Sequence, residues 1–193
     1  MKRTAAILLL LILLLTGCDS ARTIETASII ENVSVGRRGG ELYYTFYRLS
    51  SDEKPPETVI AAESFEEACR LAKEKYIPHL SLAKLRLLLV ERELKDSVMP
   101  RDIAYISTQT YFSPVAYVAL CDAASLEKSG ESAKALSEVE QQLLLCQKNN
   151  PQVKLSYLSI YNSLQRGGEV SIAYLNSDKE IKTDVEKIFL KQP

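Results

Sequence analysis

The sequence predicts an α+β domain in which helices pack on a mixed β-sheet. Three observations carry that expectation. Two runs rich in β-branched and aromatic residues, SIIENVSV (28–35) and ELYYTFYRLS (41–50), flank the glycine cluster GRRGG, the signature of a hairpin. Two short apolar runs, KLRLLLV (84–90) and PVAYVALCD (114–122), have the length and composition of buried strands. Segments with apolar residues at helical spacing lie between and after them. Strands interleaved with helices are the pattern of helices packed on a sheet.

The chain opens on an address. After Met1-Lys2-Arg3, residues Ala5 to Leu15 are uninterruptedly apolar. Eleven residues rising about 1.5 Å each cover roughly 17 Å, well short of a hydrocarbon core about 30 Å thick. A basic start, a short apolar run and small residues at its end read as a secretory signal peptide; the competing reading is a short anchoring or buried helix. Leu15-Thr16-Gly17-Cys18 is similar to a bacterial lipobox, which is cut between Gly17 and Cys18 and acylated on the cysteine thiol. Two or three acyl chains, palmitate among them, hold a protein where one chain binds only marginally. The expected organisation is a signal peptide over 1–17, an anchor and polar tether over 18–27, a domain over 28–176 and a charged tail over 177–193.

Within the domain, Ile29, Val33 and Val35 alternate along the first strand. Leu42, Tyr44 and Phe46 alternate against Tyr43, Thr45 and Tyr47 along the second. Residues 51–57, with adjacent prolines, predict a loop, followed by a short extended piece. Ser64-x-x-Glu67 has capping-box spacing, and Phe65, Ala68, Cys69, Ala72 and Tyr76 follow at helical intervals before Pro78. In KLRLLLV, either Leu87 and Leu89 or Leu88 and Val90 are core residues. The segment after it reads as one or two helical turns, and Pro100 suits the first position of another helix. Val118 and Leu120 belong to a second central strand. Residues 132–147 form an amphipathic helix through Ala133, Leu136, Val139, Leu143 and Cys146, stopped by Asn149-Asn150-Pro151. VKLSYLSIYNSLQ (153–165) predicts a helix ended by Gly167-Gly168. EVSIAYL (169–175) alternates as a strand, and the tail carries a last short strand or helix.

Composition narrows the function classes. The signal segment holds Lys2 and Arg3, so 24 basic residues fall to 22 against 25 acidic in the mature chain. A balance near −3 offers nucleic acid no basic face and gives no polybasic membrane patch. With Cys18 acylated, Cys69, Cys121 and Cys146 are left, an odd number without metal spacing. Their apolar surroundings read as buried free thiols, although an extracytoplasmic location permits a disulfide. His79, directly after Pro78, is the only histidine and reads as a surface or loop residue. No nucleophile elbow, zinc-protease motif or phosphate loop appears. The acidic residues fall on solvated helix faces such as Glu66-Glu67 and Glu138-x-Glu140. The expectation is a protein without catalysis, cofactor or metal.

A protein contact needs only a patch with a few aromatic or arginine anchors. Tyr43, Tyr44, Tyr47 and Arg48 on the predicted hairpin could supply one. The same tyrosines suit a carbohydrate platform less well than the two sides of one strand.

The succession of motifs resembles the N-terminal domain of the Ger(x)C family, the lipoprotein C subunits of spore nutrient germinant receptors. After the lipobox, DSARTIE leads into the strand at Ser28. ESFEEACRLAKEKY and PHLSLAKLRLLLVERELKDSVMPRDI follow, then YVALCD, and last SEVEQQLLLCQKNNPQVKLSYLSIYNSLQRGGEVSIAYL. The likeness spans roughly residues 15–175. It implies a lipid-anchored, non-catalytic subunit on the outer face of a Gram-positive cytoplasmic membrane, the inner membrane in a spore. Its partners would be integral membrane receptor subunits of the A and B types, with no nucleic acid involved. The other reading is an unrelated surface lipoprotein that binds a small ligand or a cell-wall polymer.

Overall fold

The computed structural model describes residues 28–50, 56–109, 111–129, 132–177 and 181–190. The signal segment, the lipobox with Gly17 and Cys18, and the tether lie outside the described residues. Strands β1 (Ser28–Arg38) and β2 (Glu41–Arg48) form the expected hairpin. Gly39 and Gly40, both at positive φ (58° and 92°), make its two-residue turn. Positive φ at both central positions matches the twist of the flanking strands, and glycine adopts it without a Cβ clash. The turn is thus shorter than the glycine cluster, and β1 continues through Gly36 to Arg38. Glu57, expected in the loop, instead opens β3 (Glu57–Ala61) and pairs with Tyr47.

Ser64 caps α1 (Phe65–Lys75): its Oγ accepts the Glu67 N–H at 3.1 Å. The Glu67 carboxylate reaches back to the Glu63 N–H, 2.9 Å away, satisfying an amide beside the helix start. Tyr76, expected on the apolar face, caps the helix end at 59% exposure, and Ile77 takes the buried place. Then come β4 (Leu80–Ser81), β5 (Leu87–Glu91), a 3₁₀ turn at Arg92–Leu94 and α2 (Val98–Ser107). Helix α2 starts two residues before Pro100, which occupies its third position. The ring costs nothing there, because first-turn amides have no acceptor within the helix.

After β6 (Tyr117–Cys121) the chain forms α3 (Ala123–Ser129), a helix the sequence reading lacks, with the Asp122 carboxylate accepting the Ser125 N–H at 2.6 Å. Helix α4 (Ala133–Asn149) follows with Ser132 as its cap. The helix expected from residue 153 starts later: Val153 and Lys154 form β7, and Ser156 caps α5 (Tyr157–Arg166). Gly167, at φ 63°, ends α5. Strand β8 (Gly168–Ser177) pairs along its whole length with antiparallel β9 (Ile181–Leu190). The residues expected as a charged tail therefore belong largely to the sheet.

The sheet is mixed. Strands β1, β5, β6 and β8 run parallel in that order; beyond β1, β2 is antiparallel to β1 and β3 antiparallel to β2. Since β9 occupies one edge of β8, strands β6 and β7 share the other, at Tyr174–Leu175 and at Ser171–Ile172. Both central strands are buried on both faces, as parallel strands between helical layers are. Leu88, Val90, Val118 and Leu120 join α1, α2 and α5 in one core. Leu87, Leu89, Ala119 and Cys121 join α4 in the other. Both alternatives read from KLRLLLV thus hold, one on each face. Ion pairs from Glu186 to Arg92 (2.6 Å) and to Lys95 fasten β9, and the Arg92 guanidinium lies 4.8 Å from the Tyr174 ring centroid.

Cys69, Cys121 and Cys146 are buried, as expected. Burial pushes the Cys69 thiol up to about 12 and that of Cys121 well above the usual range, so both are held as neutral thiols.

Candidate functional site

The two faces of the hairpin have opposite surroundings. On the face toward α1 and α2, Tyr44, Phe46, Val33 and Val35 are buried. On the other face α4 lies over the central strands, and it contributes nothing to a groove of about 440 Å³ left over β1, β2 and β3. The floor of the groove is Ser34 and Gly36 from β1, Tyr43, Thr45 and Tyr47 from β2, and Glu57 and Val59 from β3. Ala123, Leu126 and Glu127 of α3, with Glu91 at the end of β5, make one wall. Arg37 and Arg38 stand exposed at the hairpin end.

Gly36 decides how closely that wall approaches. A Cβ at this position would lie 2.6 Å from Cδ2 of Leu126, inside contact distance. Any side chain here would require the Leu126 side chain to move. The Glu91 carboxylate accepts the Arg37 backbone N–H at 2.6 Å, closing the corner between β1 and β5.

The four residues expected to form a contact patch divide among three environments. Tyr43 is half-buried in the groove and donates to the Glu41 carboxylate at 2.9 Å, the first cause of its raised pKa. Tyr47 is 5% exposed, with its hydroxyl 3.4 Å from Ser34 Oγ; burial raises its pKa most, and Ser34 opposes the shift. Arg48 is half-buried beside a smaller hollow of about 40 Å³, its Nε buried without a hydrogen-bond partner. Tyr44 must be withdrawn from the patch, because it is fully buried. Its hydroxyl donates to Asp102 Oδ2 at 2.8 Å, and burial raises its pKa. Strand alternation is the reason: Tyr44 faces the helices and its two tyrosine neighbours on the patch face the groove.

Asp102 is the most enclosed carboxylate at this end of the fold, 2% exposed. Besides Tyr44 it accepts the Phe65 N–H at 3.3 Å and Arg101 Nε at 3.1 Å. One carboxylate therefore joins β2, the start of α1 and α2. Burial holds its pKa above the ordinary range, against the hydrogen bonds and the Arg101 charge that lower it. None of these three partners lines the groove. His79 is exposed in the turn before β4, where its carbonyl accepts the Ser28 N–H at 3.0 Å. Among the described residues no group of three or more His, Cys, Asp or Glu is placed to hold a metal ion.

Sequence reading missed Arg37, Arg38, Glu91 and Glu127 as groove residues. The alternation of β2 selects Tyr43, Thr45 and Tyr47, but nothing local shows that α3 lies across Gly36. No family model matches the chain, and neither a curated protein nor a solved structure matches it.

Proposed function

We propose that this chain is a lipid-anchored, non-catalytic subunit of a germinant-receptor-like membrane complex, taking part in spore germination on the outer face of the membrane. The observation that carries the reading is the lipobox Leu15–Cys18, followed by the Ger(x)C-like succession of segments. The α+β domain supports it: the chain enters at Ser28, at the beginning of β1 in the middle of the sheet. Nine residues separate Cys18 from Ser28, and ten Cα steps reach at most about 35 Å. The anchored domain therefore stays within one domain diameter of the bilayer. Two of its hairpin side chains, the exposed Arg38 and the half-buried Tyr43, are the surface offered to the extracytoplasmic parts of A- and B-type subunits.

The groove favours a second reading, a surface lipoprotein that binds a small ligand or a wall polymer. Its volume of about 440 Å³ lies within the range of small-molecule sites. One set of experiments separates the two. Intact mass of the membrane-extracted protein should show loss of residues 1–17 and gain of acyl chains, and Cys18→Ala should release the protein from the membrane. Crosslinking in native membranes should capture one or two polytopic proteins encoded beside this gene. Calorimetry of residues 19–193 against amino acids, sugars and nucleosides should show no heat. A micromolar ligand with no membrane partner would replace the first reading by the second.

A further inference from the structure

The described residues include several large apolar side chains in water, and five of them share one end of the fold. Tyr111 is 82% exposed, Val115 69%, Tyr76 59%, Leu49 49% and Leu158 43%. Hydrogen bonds fix their common location. The Ser28 N–H meets the His79 carbonyl at 3.0 Å, three residues past Tyr76, and the Leu49 N–H meets the Ile29 carbonyl at 2.9 Å. Both therefore flank the beginning of β1. Tyr117 pairs with Leu87, which pairs with Asn32, so Val115 stands at the beginning of β6 at about the level of Ile30. The Tyr157 N–H meets the Ala116 carbonyl at 2.9 Å, which sets Leu158 beside Val115. The Phe112 and Tyr157 rings, 5.1 Å between centroids, hold Tyr111 over the same loop. Since β1 and β6 are two strand spacings apart, about 10 Å, these side chains crown one end of the parallel strands.

That end is also where the chain leaves for Cys18. We propose that it lies on the bilayer, with Tyr111, Val115 and Leu158 seated at the headgroup boundary beside the lipid anchor. The inference rests on the anchored reading above. Tyrosine suits such a boundary because its ring is apolar and its hydroxyl stays wet. Exposed Lys75 and Lys84 at the same end meet lipid phosphates. The bilayer is favoured over a second protein because a nine-residue tether already holds this end near it, whatever else binds. The docking aims the opposite end, with Arg37, Arg38 and the groove, away from the membrane. That distance is set by β1, eleven residues long and therefore about 35 Å.

The chain contains no tryptophan, so one introduced tryptophan reports alone. Mature lipidated protein carrying Tyr111→Trp is reconstituted in vesicles of phosphatidylcholine and phosphatidylglycerol whose acyl chains are brominated. The expected result is a blue-shifted emission that the brominated lipid quenches, while Tyr43→Trp at the far end is neither shifted nor quenched. Val115→Trp repeats the measurement should Tyr111→Trp fold poorly. Equal, weak quenching at both ends in protein that floats with the vesicles overturns the docking and leaves the anchor standing. Protein that does not float overturns both.

Discussion

Tyr43 and Tyr44 are adjacent residues of one type, and the fold gives them opposite work. Tyr44 is wholly enclosed, its ring 5.8 Å from that of Phe65 and its hydroxyl on Asp102. Tyr43 faces the groove, its hydroxyl on the exposed Glu41 carboxylate two residues away. The difference extends to the whole hairpin. The helix-facing side is closed by α1 and α2, and the groove-facing side is left to Thr45, Tyr47 and the residues around them. Composition therefore does not distinguish a core aromatic from a surface one in this strand. Parity along the strand does, once it is known which face carries helices.

The largest effect should come from removing the centre of the closed side. Phe65 is fully buried and packs against three rings, those of Tyr44, Phe46 and Tyr105, at 5.8, 6.0 and 6.2 Å between centroids. Phe65→Ala should cost about 3–5 kcal/mol, the lost transfer energy plus the cavity left behind. Urea unfolding reads it directly. A loss below about 1 kcal/mol would mean that α1 is not the lid of this side.

Asp102 sharpens the comparison through pH. Its pKa in the folded protein is raised, chiefly by burial, so between the unfolded value of about 3.9 and the higher folded value the folded state binds more protons. The carboxyl's contribution to stability is complete below the unfolded value. It is lost as pH rises through the folded one. Asp102→Asn abolishes that titration and perturbs a buried hydrogen-bond set, for a cost of about 1–3 kcal/mol at its largest. The deficit of the variant relative to the parent should be greatest near the unfolded value and shrink toward neutrality. Unfolding free energies measured from pH 4 to pH 7 test the sign. A deficit that grows as pH rises would mean that the ionised Asp102 is a net stabiliser of the closed side.

Local rules made much of this architecture legible. Gly39-Gly40 announced the hairpin, Ser64 and Glu67 the start of α1, and the apolar run at Leu87–Val90 a buried strand. What escaped depends on partners distant in sequence. Val153 and Lys154 carry helix-compatible residues but pair with Ser171 and Ile172 of β8. The tail, read as holding a last short strand or helix, forms a ten-residue strand over 181–190 because β8 offers it a full edge. Helix α3 is short, and its half-buried Leu126 packs close over Gly36, which has no side chain to meet it. The groove inherits that difficulty: Tyr43 and Tyr47 were legible as candidates, whereas the wall that makes them a site comes from β5 and α3.

The smallest stability effect should be the most informative about function. Tyr43→Ala removes a half-buried ring and one exposed hydrogen bond, and its cross-strand neighbours, Gly36 and Ala61, are small. Little packing is lost with it, so the cost should be near 0.5 kcal/mol, the range of surface substitutions. The same truncation at Tyr44 opens a cavity beside Phe65 and orphans part of the Asp102 bonding, for several kcal/mol. If the open side of the hairpin is a contact surface, Tyr43→Ala should leave the melting transition nearly in place while reducing the yield of crosslinks to the polytopic partners. Aromatic anchors at the centre of a protein contact commonly cost 2 kcal/mol or more when truncated, about thirtyfold in affinity. A variant as stable as the parent and captured as well would remove Tyr43 from the contact and leave Arg37 and Arg38 as the residues to vary next. A variant that melted as early as Tyr44→Ala would erase the difference between the two faces on which the assignment of the groove depends.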